Sequence, residues 1–337
     1  RTQLVTSFVI IVTIPTLMAT ALSAIGAYVN NESQVLNVLE TVSKLKKNQI
    51  DEVINRIGTD AKQLSRDTEF STNALKVLNS EASDQATLEL FRSLARSKLL
   101  NLSNTEAKTY SEIMVLNITG KVVVSTDAST EGKSFQSELF YREGSIGDFI
   151  GFSNPTFGNA RLIFSTPLYA NGGKIVRGIL VLRANSNVIF DIVESTPTFN
   201  EMETYLLDKD FHPITKTRSI AETIHTQASE TLLANRQTKE GRGTYENYTG
   251  EVVLGYYQRI EALNVAFIAE VPRTFILRTS LNSLLGSSSL AFFAILIAIA
   301  AVAISASSIA EPISALAKVA QSFAAGKLAS RASIDRR

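Results

Sequence analysis

Two long apolar stretches without a single charge, one near each end of the chain, constrain this sequence more than any other feature. The first runs from Leu4 to Val29 and the second from Leu284 to Ile304. An α-helix rises about 1.5 Å per residue and the hydrocarbon core of a bilayer is about 30 Å thick, so each stretch, as a helix, is long enough to span it. About 250 residues of ordinary globular sequence lie between them. The first stretch exceeds the roughly 7–15-residue apolar core of a secretory signal peptide, and the sequence after it stays helical in pattern, which argues against cleavage. The second has no polar face from Leu290 to Ile304, which argues against a buried core helix. Lys318, Lys327, Arg331, Arg336 and Arg337 follow the second stretch and Arg1 precedes the first, against Arg273 and Arg278 on the other side. Positive charge gathers on the cytoplasmic side of a span. The expectation is two membrane spans in the plasma (inner) membrane, residues 30–281 extracytoplasmic and both termini cytoplasmic.

Composition removes several functions. With 33 basic and 32 acidic residues the net charge is +1, which leaves no electrostatic footprint for nucleic acid. Cysteine is absent, so the middle of the chain is stabilised by hydrophobic cores and not by disulfides. No Gly-x-Ser-x-Gly elbow, Walker loop or His-Glu-x-x-His occurs, so no catalytic residue and no cofactor is expected. His212 and His225 are the two histidines. His212 lies in the run LDKDFHP beside Asp208 and Asp210, which has the composition of a metal cluster. Asp and Pro favour turns for local reasons, so a solvated turn without metal is expected there. His225 is expected on a helix.

Past the first apolar stretch no proline interrupts residues 30–70, and Ile50, Val53, Ile54, Ile57, Ala61 and Leu64 form a helical stripe. This predicts one continuous rod, its stripe packed on the domain, on a second copy, or on both. Another helix is predicted from Asp84 to Leu102. Two hairpin-like segments then recur, Ile113–Thr126 and Thr204–Thr217, each strand, polar turn, strand. Each is answered by a pair of longer strands. RLIFSTPLY and VRGILVLRA are joined at Asn171-Gly172-Gly173, and EVVLGYYQRI and VAFIAEV at Glu261 to Asn264. The stretches 127–159 and 218–249 read as irregular. Such an internal repeat means two copies of one antiparallel unit.

The order of these pieces, with the rod LETVSKLKKNQIDEVI, the helix SELFYREG and the run IFSTPLYANGGKIVRGILVL, resembles the double Cache sensor domain over roughly residues 35–275. The fold class this implies is α+β: a long N-terminal helix carrying two stacked PAS-like antiparallel-sheet modules, flanked by two transmembrane helices. The expected boundaries are 4–29 for the first span and 30–112 for the rod and second helix. The membrane-distal module takes 113–195, the membrane-proximal module 196–281 and the second span 284–304. Residues 305–337, with Pro312, then Ile313, Leu316, Val319 and Ala320 at helical spacing, and Gly326 suited to a helix C-cap, resemble the first half of a HAMP linker. The chain begins without Met and ends in a polar basic segment, and so reads as part of something longer.

The resemblance implies a transmembrane receptor, a homodimer, that binds a small molecule in the outer module and passes the signal inward. The alternative is an adhesive or structural ectodomain held by two anchors. By matching positions, the implied ligand contacts are Tyr141 and Arg142 beside Phe140 in the helix, Arg161, Ser165 and Tyr169 on one strand, and Arg183 at the end of the last. Amino-acid-binding members place an Asp near the position of Arg183 and a Trp beside the helix arginine, and this chain has no Trp. That departure points to an anion such as a small carboxylate.

Overall fold

The computed structural model describes residues 2–79, 85–103, 109–153, 160–170, 173, 175–195, 200–234 and 238–324. The chain forms two compact units, one of residues 35–273 and one of residues 1–34 with 274–337.

The middle unit holds two antiparallel sheets. In the first, β1 (Tyr110–Asn117), β2 (Val122–Ser125), β3 (Phe149–Ser153), β4 (Arg161–Ala170) and β5 (Ile175–Ala184) take the order β2-β1-β5-β4-β3. In the second, β6 (Glu203–Leu207), β7 (Glu240–Glu246), β8 (Val252–Ile260) and β9 (Val265–Pro272) take the order β6-β9-β8-β7. Strands β6, β9, β8 and β7 thus repeat β1, β5, β4 and β3. The counterpart of β2 shrinks to one bridge between Leu207 and Pro213, because a proline has no N–H to give to a ladder. The repeat extends to the turns. Asn117 Oδ1 accepts the N–H groups of Thr119 (3.0 Å) and Lys121 (2.9 Å), and Asp208 Oδ1 accepts those of Asp210 (2.9 Å) and His212 (2.8 Å). Asp208, Asp210 and His212 do gather their ligand atoms within 4.8 Å. One oxygen of Asp208 is already spent on the backbone, as the turn reading requires.

Strands β3 and β7 lie in the stretches expected to be irregular. Each is an outer strand, paired to β4 and β8 respectively. Helix α1 (Thr2–Arg66) runs through Pro15 and the first apolar stretch into the rod. It stops at Asp67, short of the expected residue 70, because Asp67 Oδ1 takes the N–H of Phe70 (2.8 Å) and caps a new helix, α2 (Thr68–Asn79). Helix α3 (Gln85–Ser103) packs on α2 through Phe70 and Phe91, ring centroids 5.2 Å apart.

The predicted stripe is buried throughout, Ile50, Val53, Ile54, Ile57, Ala61 and Leu64 alike. It packs on the chain's own sheets and so offers nothing to a second copy. Arg242 and Gln258 of the second sheet reach Glu40 (3.2 Å) and the Ser43 carbonyl (2.6 Å) on the rod. Tyr110 and Asp148 of the first module hold Asp60 (2.5 Å) and Lys62 (2.9 Å) farther along it. Between the modules, the buried Lys46 ammonium donates to the Val193 carbonyl (2.6 Å) at the end of α5 (Asn187–Glu194), and burial pushes its pKa down to about 8.

In the other unit, α7 (Arg273–Ala324) runs without a break through the second apolar stretch and position 312. Asn31 Nδ2 donates to Ser280 Oγ (3.0 Å). Leu17, Met18, Leu22, Phe292, Phe293 and Ile297 are exposed. Among the described residues no helix is long and apolar enough to cross a membrane, so the expected spans are not borne out at this level. The side chains of residues 1–12, and many from 282 onward, lie outside the described ones, as do residues 325–337 with Gly326.

Candidate functional site

Alternation along β4 decides which side chains share a face. Phe164 turns toward α1, where Gly58 leaves room for its ring at 3.4 Å from a would-be Cβ. Ile163 and Ser165 therefore turn the other way, under α4 (Leu139–Gly144) and the loop before it. There Met114 and Leu116 of β1, Ile179 and Val181 of β5, Ile163 and Phe140 form one buried cluster, with Phe135, Tyr141 and Phe149 packed on it.

At one end of this apolar floor sits a charged pair. Glu112 and Arg183 are cross-strand partners on β1 and β5, their side chains 2.5 Å apart and only 6 % and 9 % exposed. Glu112 also accepts the hydroxyls of Ser125 and Thr130, both buried. The Arg183 guanidinium lies 5.4 Å from the centroid of the Phe135 ring. Its Nε is buried and has no hydrogen-bond partner among the described residues. Desolvating two charges this far costs nearly what their attraction returns, so the pair is poorly explained as a stabilising device. An unmatched guanidinium donor beside an apolar floor is instead fit to take a carboxylate.

The residues implied by the resemblance divide. Arg183 and Ser165 are on this face, and alternation puts Arg161 on the same side of β4. Ser165 donates to the Phe140 carbonyl (2.7 Å) and ties α4 to β4. Tyr141 donates to the Ile118 carbonyl (2.7 Å) and closes α4 against the β1–β2 turn. Arg142 is exposed on α4, and Tyr169 is 45 % exposed toward the far end of β4. Arg161, also exposed, lines an open groove of about 930 Å³ with Asn185, Phe190, Asp191 and Glu194 at α5. His225 precedes α6 (Gln227–Ala234) and is not helical, its ring stacked on Phe211 at 4.3 Å. The sequence reading missed Glu112, although an acid directly ahead of the apolar run Ile113–Leu116 was a visible signal.

No family model matches the chain, and no curated protein matches its sequence. Solved structures do match. The sensor domain of the V. cholerae histidine kinase DctB is 9 % identical with a TM-score of 0.53, covering 71 % of this chain and 98 % of that one. The sensory domain of the Campylobacter jejuni chemoreceptor Tlp3, with isoleucine bound, is 13 % identical with a TM-score of 0.52, covering 74 % and 97 %. The extracellular domain of the histidine kinase rpHK1S-Z16, described as putative, is 12 % identical with a TM-score of 0.50, covering 74 % and 97 %. At these identities the likeness is one of fold. The chain has the fold of the Cache-like sensor domains of histidine kinases and chemoreceptors.

Proposed function

We propose that this chain is the sensing part of a membrane-anchored receptor, and that its first module binds a small carboxylate-bearing molecule with an apolar body. The observation that carries this reading is Arg183, buried beside Glu112 with its Nε unmatched, on the face under α4. Purely anionic ligands lose their special claim, because Glu112 already balances Arg183. A zwitterion suits the pair equally well, with Arg183 for its carboxylate and Glu112 for its amine. The Tlp3 domain, a neighbour in fold, carries isoleucine in its structure, which supports including amino acids. Calorimetry of residues 35–273 against small carboxylates and amino acids tests the reading; silence across both classes contradicts it.

The two end helices serve as membrane anchors in this reading, with residues 30–281 outside and a HAMP-like segment from 305 inside. Support comes from charge-free helix whose large apolar side chains, Leu22 and Ile297 among them, are exposed in the chain alone. Dimerisation belongs to α7, where Ile313 and Leu316 are exposed, and not to the rod stripe. No catalysis is assigned; the chain reports binding to whatever follows it. Single cysteines in this cysteine-free chain test the arrangement. In cells, one at Gly173 is expected to react with a membrane-impermeant thiol reagent, and ones at 313–320 to crosslink with helical periodicity. Protection at Gly173, or uniform absence of crosslinks, contradicts it.

A further inference from the structure

The repeat places a different pair where the first module has Glu112 and Arg183. On β6 and β9 the corresponding cross-strand partners are Glu203 and Glu270. Two acids therefore stand where the first module has an acid and a base. We propose that Glu203 and Glu270, facing each other across β6 and β9 with Glu270 buried, form a proton-binding pair in the second module.

Each carboxyl is held differently. Glu203 accepts the Tyr248 hydroxyl (2.6 Å) and the Arg218 N–H (2.7 Å), with the Arg218 guanidinium 3.8 Å away. Glu270 is 1 % exposed and faces no cation among the described residues. It accepts the hydroxyls of Tyr205 (3.3 Å) and Tyr245 (3.0 Å) and the Asn247 amide (3.2 Å). Burial first, and then the Glu203 charge, push its pKa up to about 7, against the pull of those three donors. Like carboxyls on neighbouring strands resist being ionised together, so the proton belongs to the pair and resides on Glu270. The other titratable or charged neighbours are Tyr257 on β8, whose ring stands edge-on to Tyr245 at 6.3 Å, and His225 and Glu230 at α6, which line a groove with Tyr245 and Asn247.

No larger ligand fits at Glu270 itself. A Cβ on Gly255, its neighbour on β8, would already collide with the Tyr245 ring and hydroxyl. Uptake of a proton inverts the local hydrogen bonding. The ionised Glu270 only accepts, whereas the neutral acid has a proton to donate, so one of its three bonds must turn round. This happens on β9, two residues before Pro272 ends the strand and α7 begins. The site is independent of the small-molecule reading, because its test measures titration and not ligand binding.

The test uses the full 337-residue chain and tyrosine emission between pH 5 and 9, which no tryptophan masks. The expected result is a single transition near neutral pH that disappears in Glu270→Gln and moves to lower pH in Glu203→Gln, with circular dichroism unchanged. The histidines and the buried Lys46 also change charge in this range, so Lys46→Met is measured alongside. His225→Gln and Lys46→Met are therefore the controls and are expected to keep the transition. A transition that persists in Glu270→Gln, one that is lost in His225→Gln or Lys46→Met, an unmoved midpoint in Glu203→Gln, or no transition in the parent chain would overturn the proposal.

Discussion

Glu270 binds a proton more tightly in the folded chain than in the unfolded one, because burial raises its pKa from 4.5 to about 7. Between those values the native state holds more protons, so stability falls as pH rises. The contribution is fully present below the unfolded pKa and is lost as pH passes the folded one. A shift of this size corresponds to about 3 kcal/mol. Glu270→Gln keeps the shape and cannot ionise. Thermal unfolding is therefore expected to leave the variant more stable than the parent at pH 8 and close to it at pH 5. A parent chain that gains stability from pH 5 to 8 relative to the variant would contradict the assignment. The buried Lys46 acts at the other end of the scale. Its folded pKa of about 8 lies below the ordinary lysine value of 10.5, so it favours the fold increasingly as pH climbs through that interval.

Helix α4 has six residues, too few to hold itself, and depends on the contact of Gly144 and the Phe140 carbonyl with Ser165 of β4. A Cβ on Gly144 would meet the Ser165 hydroxyl and its Cβ, the latter at 2.7 Å. Gly144→Ala is expected to cost about 1–3 kcal/mol in denaturant unfolding, as overpacking does. Ser165→Ala in the same chain should restore part of the loss; equal stability in single and double variants would sink this account of α4. The same element shows where sequence reading stops. Apolar strand patterns marked β1, β4, β5, β8 and β9, whereas Arg183 and Ser165 came only from matching positions to the resembling family. No pattern could orient Arg142, because one and a half turns of helix carry no periodicity. Strands β3 and β7 escaped because Gly151, Gly241 and Gly243 break the strand pattern. The glycines at 151 and 241 are there for space, since the rings of Phe149 and Tyr257 occupy the place of a Cβ. Asp67 was read as part of the rod, although an Asp ahead of a helical run is also a cap.

Across the middle unit, the rod ties the two modules together. Its residues near Glu40 and Ser43 hold the second sheet and those near Asp60 and Lys62 hold the first, a separation of about 30 Å along a helix. The chain thus returns on itself, and its second module lies beside the part of the rod nearer the first apolar stretch. One architecture carries two chemically distinct sites at one repeated position, an acid–base pair in the first module and an acid–acid pair in the second. The central claim, that the first module receives a small molecule through its pair, is tested most directly by calorimetry on residues 35–273. The comparison is between the parent and the double variant Glu112→Leu with Arg183→Met, in which both charges leave together and the fold is spared an unpaired buried ion. The account predicts that a carboxylate or amino acid binds the parent and fails to bind the double variant, whose unfolding remains cooperative. Undiminished binding by that folded variant would contradict it.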